Sequence, residues 1–273
     1  LDGIDLIGLH ASRLLETPPS RAMMQGLHNS AAQNCLRGWI AKNDTKHTVY
    51  HLHNWSQILS PAIFAALAGV EGRLVVTCHD FFNICPNGGF TVFPRAQPCN
   101  LKPLSLHCLA SQCDRRSNVH KFWRVARQGH LNRLIRPALS KSTFTFLHDH
   151  MRTKFLDNGF CARQMVTIPN PIKPWSRTRI PAEHNNEFLF VGRLGSDKGA
   201  DLAAAACIQA GVPLTLVGGG ELEESLRNAG GGLRLAGWCS RTEILDHARR
   251  ARALIVPSRV IEPFGLVILE AAM

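Results

Sequence analysis

Two carboxylates near the end of the sequence are spaced so that they could border a single binding pocket. Glu262 precedes a Pro-Phe-Gly turn, and Glu270 follows eight positions later. The apolar run 253–256 suits a central parallel strand, and 266–273 has the composition of a helix, so Glu270 would lie about one and a half turns along it. Helix N-terminal amides favour phosphate, and carboxylates accept hydrogen bonds from sugar hydroxyls. The pattern therefore predicts a pocket for a phosphorylated sugar compound.

Two cations form a second candidate group in the segment 187–201, which reads EFLFVGRLGSDKGAD. Residues 188–191 are strand-like, Gly192 opens a turn, and Arg193 and Lys198 bracket the loop that follows. Ligands of open parallel α/β sheets bind at the carboxyl ends of the strands. Fixed cations at such a place would meet the charge that develops on a departing phosphate.

The surrounding pattern alternates strands and helices, which is typical of parallel α/β sheets. One further strand, 213–217, runs directly into Gly218, Gly219 and Gly220, where the absence of side chains permits close approach of the backbone. The other predicted strands are 47–53, 73–78, 142–147, 165–168 and 233–236. The predicted helices are 60–68, 119–135 and 149–158, with a helical-looking stretch over 11–40. The proline-punctuated stretch 169–181 is the best candidate for an interdomain linker.

The order and spacing of these motifs resemble the retaining, nucleotide-sugar-dependent glycosyltransferases of family 4 (glycosyl transferases group 1). The matching residues are Gly192-Arg193-Leu194 with Lys198-Gly199, Gly218 to Gly220, Gly237, Pro257-Ser258, Glu262 to Leu266, and Glu270-Ala271. A weaker match extends through His51 to Asn54 and Val75 to Asp80.

The resemblance implies the α/β GT-B fold, in which two Rossmann-like domains face each other across a cleft. We expect an acceptor-side domain over 1–174, with a cysteine-rich insertion at 81–117, and a nucleotide-sugar-binding domain over 175–273. No glycine-rich opening strand is recognisable before the stretch 11–40, and the family continues beyond the helix that carries Glu270. Both ends are therefore expected to be truncated, and such a fragment is expected to have little turnover.

The resemblance also implies roles for single residues and a reaction. Transfer of a hexose-type sugar would proceed with retention of configuration, without a protein nucleophile and without a required cofactor. The residues assigned to catalysis are His79, Arg193, Lys198 and Glu262. Those assigned to the donor, a UDP- or GDP-sugar, are Gly192, Gly218, Gly219, Gly220, Phe264, Gly265, Leu266 and Glu270. Those on the acceptor side are His51, His53, Asn54 and Asp80.

Other classes of protein remain open at this stage. A GT-B-like nucleotide-sugar epimerase would use the same donor motifs, and a non-catalytic binding or scaffold module would need no turnover at all. A retaining glycosidase could use Glu262 and Glu270 as its two carboxyl groups, but Arg193 and Lys198 would then have no task. The sequence contains no Asp-x-Asp, the metal-diphosphate signature of the other large glycosyltransferase fold.

Four of the nine cysteines, Cys85, Cys99, Cys108 and Cys113, lie in the insertion. Four thiolates could hold a structural zinc ion, but the spacings of fourteen, nine and five lack the usual close Cys-x-x-Cys pair. Free thiols are the alternative. His51 and His53 point the same way along a strand, yet a third metal ligand is not evident, and the odd cysteine total argues against a disulfide framework.

The net charge of +11 has a local source. Residues 115–148 contain no acidic side chain, and basic residues alternate there with apolar ones, as in helices that lie on anionic membranes. Nucleic acid would also be attracted, but no nucleic-acid-binding motif accompanies the charge. We therefore expect a saccharide or lipid-linked acceptor in surface-polysaccharide or glycoconjugate synthesis, and a cytoplasmic protein that can attach to the inner face of the membrane.

Overall fold

The computed structural model describes residues 5–9 and 11–273, so the start of the predicted first domain lies outside the described residues. The helices are α1 (Pro19–Leu27), α2 (Ser30–Asn43), α3 (Ala62–Ala66), α4 (Leu106–Ala110), α5 (Asn118–Ile135), α6 (Asp149–Leu156), α7 (Ala200–Ala210), α8 (Glu223–Asn228), α9 (Arg241–Arg250) and α10 (Leu266–Ala272). The strands are β1 (Tyr50–His53), β2 (Leu74–Cys78), β3 (Thr91–Val92), β4 (Gln97–Pro98), β5 (Thr143–Phe146), β6 (Met165–Thr167), β7 (Glu187–Val191), β8 (Leu214–Val217), β9 (Leu233–Gly237) and β10 (Ala251–Leu254).

The chain divides into two compact units, and the first comprises the residues up to Phe90 together with Asn100–Pro169. Its sheet has the order β1-β2-β5-β6, and every pairing is parallel. Aromatic side chains fill its core: Phe146 packs edge-on against Phe155, and Phe155 against Phe160, with ring centroids 4.6 and 4.9 Å apart. Because the strands are parallel, β1, β2 and β5 all end at one edge of this sheet.

The basic, amphipathic pattern of residues 115–148 is only partly a surface pattern, because two basic residues of α5 are not exposed to solvent. Lys121 and Arg127 are buried. The Arg127 guanidinium lies between the rings of Trp55 and Trp123, 5.0 and 5.5 Å from their centroids, and donates hydrogen bonds to the carbonyls of Gly26 and Ser56. The charge pattern of the sequence did not predict the burial of Arg127. An arginine can be buried when aromatic rings stack on its guanidinium and carbonyl groups accept its hydrogen bonds.

The second unit comprises Asn170–Met273 and the short antiparallel hairpin of β3 and β4 within Thr91–Cys99. Its sheet has the order β10-β7-β8-β9 and is entirely parallel. The alanines of α7 pack on one face against Leu214 and Leu216, while Ile244 and Leu245 of α9 belong to the cluster on the other face. Helices on both faces explain why the two central strands, β7 and β8, consist largely of apolar residues.

Several predicted boundaries shift. The strand expected over 253–256 is β10, Ala251–Leu254, an edge strand on which Arg252 is exposed to solvent. The apolar pattern placed the start of β10 two residues too late, because Arg252 is charged. An edge strand can carry such a charged side chain. The helical-looking stretch 11–40 is a short 3-10 turn followed by α1 and α2. Within the part of the chain that the structure describes, no helix is long and apolar enough to cross a bilayer.

Candidate functional site

Both candidate cations of the second unit lie in the loop after β7, and each is paired with a carboxylate. Arg193 forms an ion pair with Asp197. Lys198 donates to Glu262 at 2.5 Å, and Glu262 also accepts a hydrogen bond of 2.7 Å from Ser258. The structure thus brings Lys198 and Glu262 together, although they are 64 positions apart. A ligand phosphate would have to exchange with these carboxylates.

A third ion pair, which the sequence did not suggest, fixes the loop between β10 and α10. Arg259 binds both carboxylate oxygens of Asp201, at 2.7 and 2.8 Å, and donates to the Ser196 carbonyl at 2.6 Å. Its hydrogen bonds lower the pKa of Asp201 and raise that of Arg259. Two parallel hydrogen bonds of this kind are geometrically specific, so they set the position of the loop that carries Glu262.

The triple glycine packs closely against the loop after β7. A Cβ on Gly218 would overlap the carbonyl oxygen of Gly192, and a Cβ on Gly220 would lie 2.8 Å from the carbonyl carbon of Leu194. Leu194 donates its amide to the carbonyl of Gly219 at 3.0 Å. The glycines therefore allow the loop that carries Arg193 to lie directly on neighbouring backbone. Contact with a ligand stays a prediction for all three.

Glu270 has a different partner from the Lys198–Glu262 pair. It accepts a hydrogen bond of 3.0 Å from Arg241, the first residue of α9, which also donates to the carbonyls of Lys173 and Pro174. Gly265 stands before α10 with a φ of +69°, as its place in the sharp turn requires, and the amides of Phe264 and Leu266 border that turn. Their role in ligand binding stays a prediction.

The first unit gathers three histidines where β1 and β2 end. His53 and His79 share a hydrogen bond of 2.9 Å between Nδ1 and Nε2, and the rings of His51 and His53 are 4.1 Å apart. His51 also shares a hydrogen bond of 2.7 Å with Thr77. Burial, followed by the charges of neighbouring histidines, lowers the pKa values of His53 and His79, so both rings are neutral at pH 7.

Asp80 follows His79 directly and accepts a hydrogen bond of 2.9 Å from the amide of Phe82. Burial raises the pKa of its carboxyl group to about 6, against opposing contributions from that amide and from Arg127. Asn54, after β1, is exposed and has a positive φ of 44°. His51, His53, His79, Asn54 and Asp80 thus all belong to the same two strand ends.

We expect Asp80→Asn to stabilise the protein at high pH but not at low pH. The native pKa of Asp80 is raised above its ordinary value, so its contribution favours the folded state below pH 4 and is lost as the pH rises through 6. At pH 8, the amide should increase the free energy of unfolding by about 3 kcal/mol, since each unit of the pKa shift corresponds to about 1.4 kcal/mol. Urea unfolding at pH 4 and pH 8 measures this, with the exposed Asp157→Asn as control. Equal effects of Asp80→Asn at both pH values would contradict the assignment.

The cysteines of the insertion do not form a zinc site in the part of the chain that the structure describes. No group of three or more histidine, cysteine, aspartate or glutamate side chains within residues 5–9 and 11–273 could hold a metal ion. All nine cysteines are free thiols. Lys121 instead places its ammonium beside the sulfurs of Cys108 and Cys113. The structure therefore gives no support to a zinc ion held by Cys85, Cys99, Cys108 and Cys113.

The sequence did not predict a role for three residues of the second unit. Arg259 and Arg241 hold the loops that carry Glu262 and Glu270. Trp238, directly after β9, is 87% exposed, and a Cβ on Gly219 would lie 3.1 Å from its indole nitrogen. The position of Trp238 could have identified it as a candidate, because it follows Gly237 at the end of a strand, where ligands of parallel sheets bind.

Two α/β units, each built on a parallel sheet, and two cations at the carboxyl end of a strand in the second unit agree with the GT-B fold. Residues 173–273 match the model of the family described as glycosyl transferases group 1. No significant match was found among curated protein sequences.

Solved structures extend this likeness over most of the chain. Sucrose-phosphate synthase from Thermosynechococcus elongatus matches with a TM-score of 0.57 and 17% identity, over 93% of this chain and 60% of the synthase. HepE from Anabaena, solved in complex with UDP, matches with a TM-score of 0.55 and 17% identity, over 89% of this chain and 60% of HepE. The chain thus spans about 60% of the length of each structure, and at this identity the likeness establishes the fold.

Proposed function

We propose that the protein transfers a hexose-type sugar from a nucleotide donor to an acceptor with retention of configuration, as retaining glycosyltransferases of family 4 do. One observation carries the proposal: Arg193 and Lys198 both lie in the loop after β7, and Lys198 pairs there with Glu262, within the segment that matches glycosyl transferases group 1. The UDP in the HepE structure favours a UDP-sugar as donor over a GDP-sugar.

In this proposal, the second unit binds the donor. Arg193 and Lys198 receive the diphosphate, whose negative charge grows as its bond to the sugar breaks, so their contribution is greatest in the transition state. Lys198 would then exchange Glu262 for phosphate, leaving Glu262 to accept hydrogen bonds from the sugar. The exposed indole of Trp238 offers a surface on which a nucleobase could stack. Glu270, held by Arg241, is assigned to the ribose.

The first unit is assigned to the acceptor and to the reacting end of the donor sugar. His53 and Asn54 line an open cavity of about 610 Å3 together with Ile7, Leu9 and Ile58. This volume suits a small-molecule site, and its apolar side favours a lipid-linked acceptor over a free saccharide. His79, bonded to His53, is neutral and can exchange hydrogen bonds with sugar hydroxyls. A leaving-group phosphate oxygen takes the acceptor proton, so no protein nucleophile is needed.

Attachment to an anionic membrane would suit such an acceptor. On α5, Val119 and Phe122 are 67% and 62% exposed, and Arg115 and Arg116 precede the helix on the exposed surface. Exposed apolar side chains beside basic ones are typical of proteins that bind at the surface of anionic bilayers. We accordingly assign the protein to the cytoplasmic face of a membrane that carries the acceptor, in surface-polysaccharide or glycoconjugate synthesis.

The test is a transfer assay with radiolabelled UDP- and GDP-sugars on lipid-linked acceptors, with and without anionic vesicles. We expect labelled lipid, faster formation on vesicles, and loss of that acceleration in Phe122→Asp. A changed free sugar without acceptor labelling would identify an epimerase instead. Nucleotide binding with no chemical change in any mixture would favour a non-catalytic binding module.

A further inference from the structure

Lys121, in the middle of the first unit, carries a buried ammonium group whose polar partners are sulfur atoms. The residue is only 2% exposed. Its Nζ lies 2.9 Å from Sγ of Cys113 and 3.6 Å from Sγ of Cys108. Among the residues that the structure describes, no carboxylate pairs with this ammonium; the neighbouring Asp114 pairs with Arg124 instead, at 3.0 Å.

A buried lysine needs a compensating charge, because an unpaired ammonium in the interior costs several kcal/mol. The nearest group that can supply one is the Cys113 thiol, which is 4% exposed. A cation beside a cysteine favours the thiolate, the nucleophilic form. Burial lowers the pKa of Lys121, but the sulfurs of Cys113 and Cys108 more than offset this, so its pKa is raised. The ammonium and the Cys113 sulfur are thus in direct contact, as a covalent step between them requires.

We propose that Cys113 and Lys121 form a covalent modification site, at which hydrogen peroxide joins the two side chains through a sulfur–nitrogen bond. The Cys113 thiolate attacks peroxide, the O–O bond breaks, and a sulfenic acid and hydroxide form. The hydroxide takes a proton from the Lys121 ammonium and becomes water. The neutral amine then attacks sulfur, the S–O bond breaks, and the leaving hydroxide departs as water with a proton from the nitrogen. Thiolate, ammonium and one peroxide thus give one sulfenamide and two waters.

The short distance explains why lysine, rather than a second thiol, would trap the sulfenic acid. Sulfenic acids condense with whichever nucleophile is adjacent, either a thiol or a nitrogen. The Nζ atom is already in contact with Cys113, and the helical backbone of α5 holds it there. The site also adjoins the segment after β2, because Asn87 donates to the Cys113 carbonyl at 3.2 Å. The cross-link would therefore tie α5 to the cysteine-rich segment beside the loop that carries Asp80.

The test treats the whole chain with a small excess of hydrogen peroxide and maps its tryptic peptides by mass spectrometry without reductant. Cys35→Ser and Cys161→Ser remove the two exposed thiols first. We expect peptide 96–115 joined to peptide 117–124, with no cleavage after Lys121 and a mass lower by about 2 Da than the sum of the two peptides. A thiol reductant should separate them.

Lys121→Met and Cys113→Ser should each abolish the linked species, whereas Cys108→Ser should retain it. The wild-type result decides the matter if a variant does not fold. A Cys108–Cys113 disulfide, an oxidised Cys113 with normal cleavage after Lys121, or an unmodified Cys113 would each overturn the proposal. None of these outcomes depends on whether the protein transfers sugars.

Discussion

Arg193→Ala and Lys198→Ala are each expected to weaken binding of a nucleoside diphosphate by roughly tenfold to 150-fold, because a hydrogen bond to a charged group contributes about 1.5 to 3 kcal/mol. Both cations occupy the loop after β7, and both already hold an anionic group in the structure. The effect on transfer should be larger still, about a hundredfold to a thousandfold in rate, since charge on the diphosphate grows as the sugar bond breaks. Titration calorimetry with UDP and initial transfer rates measure the two effects.

The pairing of Lys198 with Glu262 permits a sharper comparison. If phosphate replaces Glu262 at Lys198, Glu262→Gln should bind UDP at least as tightly as the wild type but bind the UDP-sugar more weakly. Arg227→Ala is the matched control, because Arg227 also pairs with a carboxylate of the second unit but lies on the exposed surface of α8. Wild-type affinity in both cation variants, with the fold intact, would show that the diphosphate binds elsewhere.

Gly218→Ala is expected to cost about 3 kcal/mol or more, which is a large share of the 5 to 15 kcal/mol that stabilises a typical domain. Gly218 has a φ of +126°, and its added Cβ would overlap the backbone of Gly192. Backbone cannot rotate away as a flexible side chain does, so the ends of β7 and β8 would have to separate. Because Arg193 follows Gly192, binding of nucleoside diphosphate should be lost in parallel.

Gly211→Ala distinguishes the two causes of the destabilisation expected for Gly218→Ala, which are backbone strain at a positive φ and overlap of the added Cβ with neighbouring backbone. Gly211 also has a positive φ, +65°, but a Cβ there would meet no atom within 4 Å. Strain alone should therefore cost about 1 to 2 kcal/mol at Gly211. Urea unfolding of both variants measures the difference. Equal destabilisation would mean that the strands yield freely around Gly218, and that the triple glycine is only a flexible turn.

The sequence predicted the parallel α/β fold well because its signals are local. Apolar runs such as 188–191 and 213–217 end at glycines, and the structure places strands β7 and β8 there within one residue at either end. Edge strand β10 was less accurately predicted, since Arg252 interrupts its apolar pattern. The stretch 11–40 contains two helices because the chain turns at His28 and Asn29, where neither proline nor glycine marks a break.

The candidate site was predictable as a set of residues but not as a set of contacts. Spacing placed Arg193 and Lys198 after a strand, yet the pairing of Lys198 with Glu262 depends on how two loops fold over one another. Burial of Lys121 was equally hidden, because its sulfur partners lie eight and thirteen positions away without a recognisable motif. From residue type alone, a lysine at this position would be predicted to be exposed to solvent.

The ion pairs of the second unit also have a consequence for how the protein folds during synthesis. Lys198 with Glu262 and Arg259 with Asp201 join residues 64 and 58 positions apart, so these are contacts of high sequence separation. Chains emerge from the ribosome at about 5 to 20 residues per second, so Lys198 would wait roughly 3 to 13 seconds for Glu262 to be synthesised. Contacts of this kind form slowly, because the loop-closure entropy must be overcome first. During that interval, Lys198 and Asp201 both lack their later partners, whereas Arg193 can already pair with Asp197 in the same loop.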